Sequence, residues 1–438
     1  MNWHGTKTTI MTNPLRAILK NNIFQTESPQ LILFLTLAII FVDLLGASLV
    51  LPILPILFRV HGEFGGIGLS SQNLNILYGL LIATYPLAQL FGAPILGFYS
   101  DTIGRKKILI LSLTGTALSY ILSAISIATA NLPLLFIARL LDGFTGGNVL
   151  IAQSIIADIS TKENKSRNYG LINIAVALGT IFGPLIGGLS TEVKLIFDIN
   201  QLASPFVLAT IVVLINIVFL LITLKETNTC PIHGSNPQSK KLDIFRSFEK
   251  IQQAWKLPHL KSLFVVSFLS SLAFSLFINF FPKYLIDNFD YSPRRLGFIT
   301  AYTGIWLVII VLTFFTHFVT NTNLNKILKQ ALVIAGFTTI FLLLPTQELW
   351  FYLILPFLSG SLGLISPIIT NSLSESVSSE KQGEILGINQ SIQALGTLAP
   401  VLGGLMLNIW DKLPLLITGI IYLIAFWAAK RTKLLTNS

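Results

Sequence analysis

Twelve long apolar runs follow one another along the chain, and they constrain the fold more than any other feature of the sequence. They cover residues 31–58, 73–100, 107–129, 133–157, 168–190, 204–224, 260–282, 295–319, 327–345, 349–373, 384–408 and 413–429. At about 1.5 Å per helical residue, each is long enough to cross a hydrocarbon layer of about 30 Å. Inside a bilayer every backbone N–H and C=O needs an internal partner, so segments of this length without strand alternation predict helices. Only 11% of the residues are charged, against about 25% in a soluble domain, so too few polar side chains exist to coat a globule of 438 residues. The single cysteine, Cys230, rules out an internal disulfide framework. With no His/Cys cluster in the sequence, no metal site is expected, and no nucleophile–base set points to an enzyme. Residues 1–29 are polar and mixed, and the first apolar run is long enough to remain as a span rather than be cleaved as a signal.

The formal charge of +10 is a topology signal, and no nucleic-acid partner is expected from it. An even number of spans puts both termini on one side. That side collects 22 of the 29 Lys and Arg, among them Arg105, Lys106, Lys107, Lys162, Arg167 and seven at residues 225–261. The opposite side holds 6: Arg59, Lys194, Lys283, Arg294, Arg295 and Lys412. Arg139 lies within a span. The positive-inside rule then places both termini in the cytoplasm, in a bacterial inner membrane.

The longest polar stretch between spans divides the chain. It predicts a cytoplasmic N-terminal segment (1–30), a six-span half (31–224), a cytoplasmic linker (225–257), a second six-span half (258–430) and a cytoplasmic tail (431–438). At an offset of 217, Gly143, Gly146, Asp158 and Gly170 fall on Gly360, Gly363, Glu375 and Gly387, and Ala177–Thr180 falls on the same four residue types at 394–397. One residue later in the offset, Pro184, Gly187 and Gly188 fall on Pro400, Gly403 and Gly404. A duplicated six-span unit with a solute site between the copies is a transporter plan.

Three local patterns carry chemistry. Between spans two and three, Gly97-Phe98-Tyr99-Ser100-Asp101-Thr102-Ile103-Gly104-Arg105-Lys106-Lys107 makes a tight glycine turn with charge at the membrane edge. Asp101 there can face the N-terminus of span eleven, and Arg105 can pair with Asp158 at the end of span four. A plain positive loop is the alternative. In span five, Gly179, Gly183, Pro184, Gly187 and Gly188 form a smooth face for close backbone approach, expected against a span of the other half, with a bend at the proline. Generic helix packing would use the same residues.

In spans one and four, Asp43 lies about 18 Å deep and Asp142 about 14 Å from the opposite face, so both sit near mid-membrane, with Arg139 one turn from Asp142. A mid-membrane charge costs several kcal/mol and marks a functional position by default. Asp43, when desolvated and unpaired, takes a proton, and near Arg139 it releases it. A purely structural bridge between spans one and four is the other reading.

The loop resembles the signature loop of the major facilitator superfamily, although Thr102 stands where the family commonly has Arg and the segment His317–Lys329 lacks the pattern. The span-five stretch resembles the motif of the drug/proton antiporters in that superfamily. Spans one, four and five are similar to tetracycline/proton antiporters and related multidrug exporters. The resemblance implies an all-α membrane protein of major facilitator fold with twelve transmembrane helices in two halves. It also implies a proton-coupled antiporter exporting a drug, metabolite or siderophore by alternating access.

Two departures point away from tetracycline itself: Ser119 before Tyr120 replaces the acid of those pumps, and the family's span-eight histidine is absent. A proton-coupled uptake symporter for a nutrient or iron chelate, and a transport-dead receptor or scaffold, are the alternatives. The expected partners are a small-molecule substrate and the lipid bilayer, with no cofactor beyond protons and a monomeric state. Polar and aromatic residues within the spans, namely Gln153, Asn173, Asn279, Trp306, Gln390 and Gln393, are candidates for the solute cavity. Gln89, Asn148, Asn389, Tyr302, Phe277 and Phe281 either join them or serve only to join helices.

Overall fold

The computed structural model describes residues 29–59, 62–65, 68–161, 164–193, 200–224, 226, 258–317, 323–377 and 381–430. Residues 1–28, most of the expected linker and the tail from 431 lie outside the described residues. Fifteen α-helices are described: α1 Pro29–Leu49, α2 Leu54–Leu57, α3 Ser71–Ile103, α4 Arg105–Ala128, α5 Leu132–Thr145, α6 Asn148–Ile159, α7 Lys165–Ser190, α8 Ser204–Thr223, α9 Pro258–Phe289, α10 Pro293–His317, α11 Leu324–Phe341, α12 Leu349–Glu375, α13 Gln382–Gly396, α14 Pro400–Leu407 and α15 Leu413–Lys430. Together they make twelve stretches long and apolar enough to cross a membrane.

Polar residues set several starts. Ser70 Oγ accepts from Asn73 N, Asn131 Oδ1 from Leu134 N, and Asn323 Oδ1 from Asn325 N and Lys326 N, each satisfying a first-turn donor. We call the end of the bundle where α1 begins the near end, and the other the far end.

Three spans are not single helices, where the sequence predicts unbroken ones. Span one stops at Leu49 and resumes as α2 beyond Pro52, and span eleven stops at Gly396 and resumes at Pro400, whose missing N–H suits a first turn. Span four breaks at Gly146-Gly147, halfway across, into α5 and α6. Conversely, α9 continues past Pro282 to Phe289, because Phe280, Phe281, Tyr284, Leu285 and Ile286 all bury apolar surface that outweighs one lost backbone bond. That extension places Lys283 within a helix, buried, rather than in a far-end loop.

One apolar core is drawn from residues 39–224 together with Leu276, Phe280, Ala399 and Leu407. A second comes from residues 260–429, with Ile56 packed against it. The two sets of six spans meet mainly through α7 against α10 and α3 against α14. The cross-bonds lie at or near the far end: Arg59–Asp290 at 2.8 Å, Arg294–Glu192 at 3.1 Å, and Asn75 Nδ2 to Asn408 Oδ1 at 3.1 Å. Toward the near end the picture reverses. A Cβ added at Gly97 in α3, Gly170 in α7, or Gly383 and Gly387 in α13 meets nothing within 4 Å among the described residues. Among the described residues the two halves are thus joined at the far end.

Candidate functional site

The break in span four builds the charged centre. With α5 ending at Thr145, its last carbonyls lose their helical partners and find side chains instead. Gln89 Nε2 of α3 donates to Gly146 O at 2.7 Å, and the Ser112 hydroxyl of α4 donates to Thr145 O. α3 and α5 come this close because a Cβ on Gly143 would overlap the Tyr85 carbonyl. The new N-terminus of α6 begins with Asn148, whose Nδ2 donates to Asp43 Oδ1 at 2.8 Å. Asp43 therefore faces the positive end of a half-helix inside the membrane, an arrangement that suits an anion.

One turn before the break, Arg139 Nη1 donates to Asp142 Oδ2 at 3.2 Å, and the guanidinium lies 5.8 Å from the centroid of the Phe206 ring. Asp43 is 8% exposed, Arg139 7%, Asp142 5% and Asn148 4%. Arg139 pairs with its own-helix neighbour Asp142, while Asp43 takes its bond from Asn148. Arg139 Nε and Nη2 and Asn148 Oδ1 are buried without a partner, as are Thr116 Oγ1 and Tyr120 Oη on the adjoining α4. These unmade bonds leave polar atoms in the site that bound water can satisfy.

The near-end loop forms a second network. Arg105 Nη1 pairs with Asp101, its Nε donates to Asp158 Oδ2 at 3.2 Å, and Nη1 also donates to Ser100 Oγ at 2.8 Å. The loop's turn depends on Gly104, with φ of +122°. A Cβ there would collide with the Glu226 carboxylate, which caps α4 by accepting Arg105 N at 2.7 Å and Lys106 N at 3.2 Å. A Cβ on Gly97, by contrast, would meet nothing within 4 Å among the described residues.

The span-five glycines pack differently from expectation. Gly179, Gly183 and Gly187 lie against α1 of the same half. A Cβ on Gly183 would strike Ser48 Oγ and come within 2.7 Å of Leu45 O, and one on Gly187 would overlap Leu49 O. Ser48 Oγ seals this seam by donating to Gly179 O at 2.9 Å. Only Gly188, a further 100° round the helix, faces the other half, where its Cβ would stand 2.5 Å from Pro293 O and 3.1 Å from Arg294 Cα. α7 runs through Pro184 as one helix.

The cavity candidates divide. Gln393 Nε2 donates to Ser267 Oγ and so joins two helices, whereas Asn279 Nδ2 donates to Ser275 O of its own helix. Asn389 joins the same seam by accepting from Ser267. Trp306 packs edge-on against Tyr302. Gln153, Asn173 and Gln390 make no side-chain hydrogen bond among the described residues, and the last two are exposed.

Twelve spans in two sets with a buried charged centre between helices describe a multi-pass membrane transporter. The chain belongs to the Major Facilitator Superfamily, whose family model matches residues 36–399. It is 28% identical to the class B tetracycline resistance protein of Escherichia coli, over 86% of this chain and 90% of that one. It is 24% identical to multidrug resistance protein 2 of Bacillus subtilis, over 90% and 93%. Among solved structures it is similar to a D-xylose–proton symporter, with a TM-score of 0.73, 14% identity and coverage of 92% and 97%. It is also similar to the human organic anion transporter MFSD10, with a TM-score of 0.65, 20% identity and coverage of 92% and 100%. Members of this family move small solutes across the bilayer and are not enzymes.

Proposed function

We propose that the chain is a proton-coupled antiporter that exports a small organic solute by alternating access, with its near end at the cytoplasm of a bacterial inner membrane. The observation that carries this reading is Asp43, buried at the break of span four with Asn148 as its donor and the Arg139–Asp142 pair on the next turn. Two carboxylates and one guanidinium share this low-dielectric site. With one proton aboard the centre is neutral, and with none it carries one net negative charge, which burial penalises. Opening the centre to water on one side or the other therefore sets whether the proton leaves or arrives.

The bias of Lys and Arg, 22 to 5 once Lys283 is set aside within its helix, supports the cytoplasmic near end. The similarity to a tetracycline resistance protein and a multidrug resistance protein supports export. Asn173 and Gln390, equivalent by the 217-residue repeat and both exposed, are proposed to meet the solute from the two halves. On this reading the two six-span sets are the bodies that rock, and the Arg105 network holds the near end of the first.

The test is transport by proteoliposomes with an imposed pH gradient, screened over organic cations, anions and neutral aromatic solutes. Asp43→Asn is expected to abolish gradient-driven movement while solute exchange persists. Gradient-driven movement at the wild-type rate in that variant would overturn the assignment, and the direction of net movement separates antiport from symport.

A further inference from the structure

The far-end closure contains one group that a simple seal would not need. Lys283 of α9 is 3% exposed. It sits about 9 Å inside the end of its helix, where it faces the other half of the molecule. Its Nζ pairs with Asp287 Oδ2 at 2.8 Å and lies 5.8 Å from the centroid of the Tyr78 ring, which belongs to α3.

Tyr78 is the cover. Its hydroxyl donates to Asn279 O, one turn before Lys283, at 2.7 Å, and its ring packs edge-on against Phe280 at 5.7 Å. Gly79 beside it lets α3 approach α14 until a Cβ would overlap Pro400 O, which fixes Tyr78 in place. Everything that buries Lys283 from the α3 side therefore leaves when the halves part at the far end. Asp287 stays with it on α9, and its side chain is already 30% exposed.

We propose that Lys283 is a positioning residue that keeps the far-end closure reversible. Closing the halves buries apolar surface, with Phe280 of α9 set against Tyr78 of α3, itself packed on Phe58, and with Leu276, Ala399 and Leu407 joining the core of the first half, and that alone would hold the far end shut. Dehydrating an ammonium at the same interface opposes the apolar gain. Its ion pair recovers only part of the loss, because replacing a buried pair by apolar groups of similar size is commonly neutral or stabilising. The charge thus holds the closed and open far ends near balance, as a cyclic machine requires.

This rests on the alternating-access reading. The test uses Asn279→Cys as reporter in a Cys230→Ser background, since the backbone oxygen that Tyr78 uses is retained. Reconstituted protein is exposed on the far side to a membrane-impermeant cationic thiol reagent, and labelling and transport rates are read together. Lys283→Met, of similar length and apolar, is expected to label about tenfold more slowly and to transport more slowly, at unchanged melting temperature or above it. Lys283→Arg should restore both rates. Tyr78→Phe, which loses the bond to Asn279 O, should label several-fold faster. If Lys283→Met labels as fast as the parent while Tyr78→Phe labels faster, the inference is overturned and alternating access stands. If the parent never labels from the far side during turnover, alternating access fails and the inference with it.

Discussion

Gly188 and Gly183 lie less than two turns apart on α7 and carry the same motif, yet alanine at each should do different things. A Cβ at Gly188 would stand 2.5 Å from Pro293 O and 3.1 Å from Arg294 Cα, well inside an ordinary contact of 3.4–4 Å, and both atoms belong to backbone that cannot swing aside. Overpacking of this kind costs about 1–3 kcal/mol. The obstructing atoms are on α10, in the other half, so the cost falls only on the far-closed state. A differential of that size shifts a two-state population by about 5- to 150-fold. At Gly183 the obstructing atoms are Ser48 Oγ, Leu45 O and Leu49 N, all on α1 of the same half. There the same cost, with disturbance of the Ser48 bond to Gly179 O, is paid in both states.

Gly188→Ala should therefore raise far-side labelling of the Asn279→Cys reporter at least fivefold and leave the melting temperature nearly unchanged. Gly183→Ala should lower the melting temperature by several degrees and leave labelling unchanged. The reverse pattern, or equal effects on both readouts at both sites, would refute the division of the motif between fold and gate.

Three further outcomes follow from the sites. Asn148→Leu removes the donor from buried Asp43 and should cost about 1–3 kcal/mol wherever that carboxylate is ionised, so it should slow gradient-driven transport more than solute exchange; equal effects on both count against the coupling role. Gly104→Ala meets both a φ of +122° and the Glu226 carboxylate, so it should lower stability by about 1–2 kcal/mol or more, read as a fall in melting temperature. Glu226→Gln should weaken the α4 cap by about 0.5–1 kcal/mol, read as faster hydrogen exchange at the Arg105 and Lys106 amides.

The sequence discloses the spans because their length and lack of charge are one-dimensional facts. It also discloses Asp43, Arg139 and Asp142, because a charge in an apolar run is conspicuous without any knowledge of its neighbours. What it hides is who touches whom. The spacing of Gly179, Gly183 and Gly187 says that something approaches closely, but not that it is α1 of the same half. Gly146-Gly147 reads as one more small-residue contact, because glycine breaks a helix only where side chains such as Gln89 and Ser112 stand ready to take the released carbonyls. Lys283 is misplaced because the apolar run of the sequence ends at Pro282, whereas burial of the residues beyond it keeps α9 helical. Asn148 is visible only as one amide among several. Its role comes from standing first in a half-helix that the sequence does not announce.

The same break explains why one half carries the charge and the other does not. By the 217-residue repeat, Arg139, Asp142 and Asn148 correspond to Pro356, Ser359 and Ile365, and Gly146-Gly147 corresponds to Gly363-Leu364. α12 runs unbroken from Leu349 to Glu375. With its second glycine replaced by leucine it stays one helix through Pro356 and Pro367 and offers no half-helix N-terminus at mid-membrane, so an acid opposite it would have neither an Asn donor nor a favourable dipole. Ser359, fully buried with its hydroxyl unpartnered, is the neutral group that such a position tolerates. Restoring the break alone would create an unsatisfied backbone, and placing an acid alone would create an unpaired charge. Helix break, donor and acid support one another, which is why span four brings all three together and its counterpart, α12, has none of them at the corresponding positions.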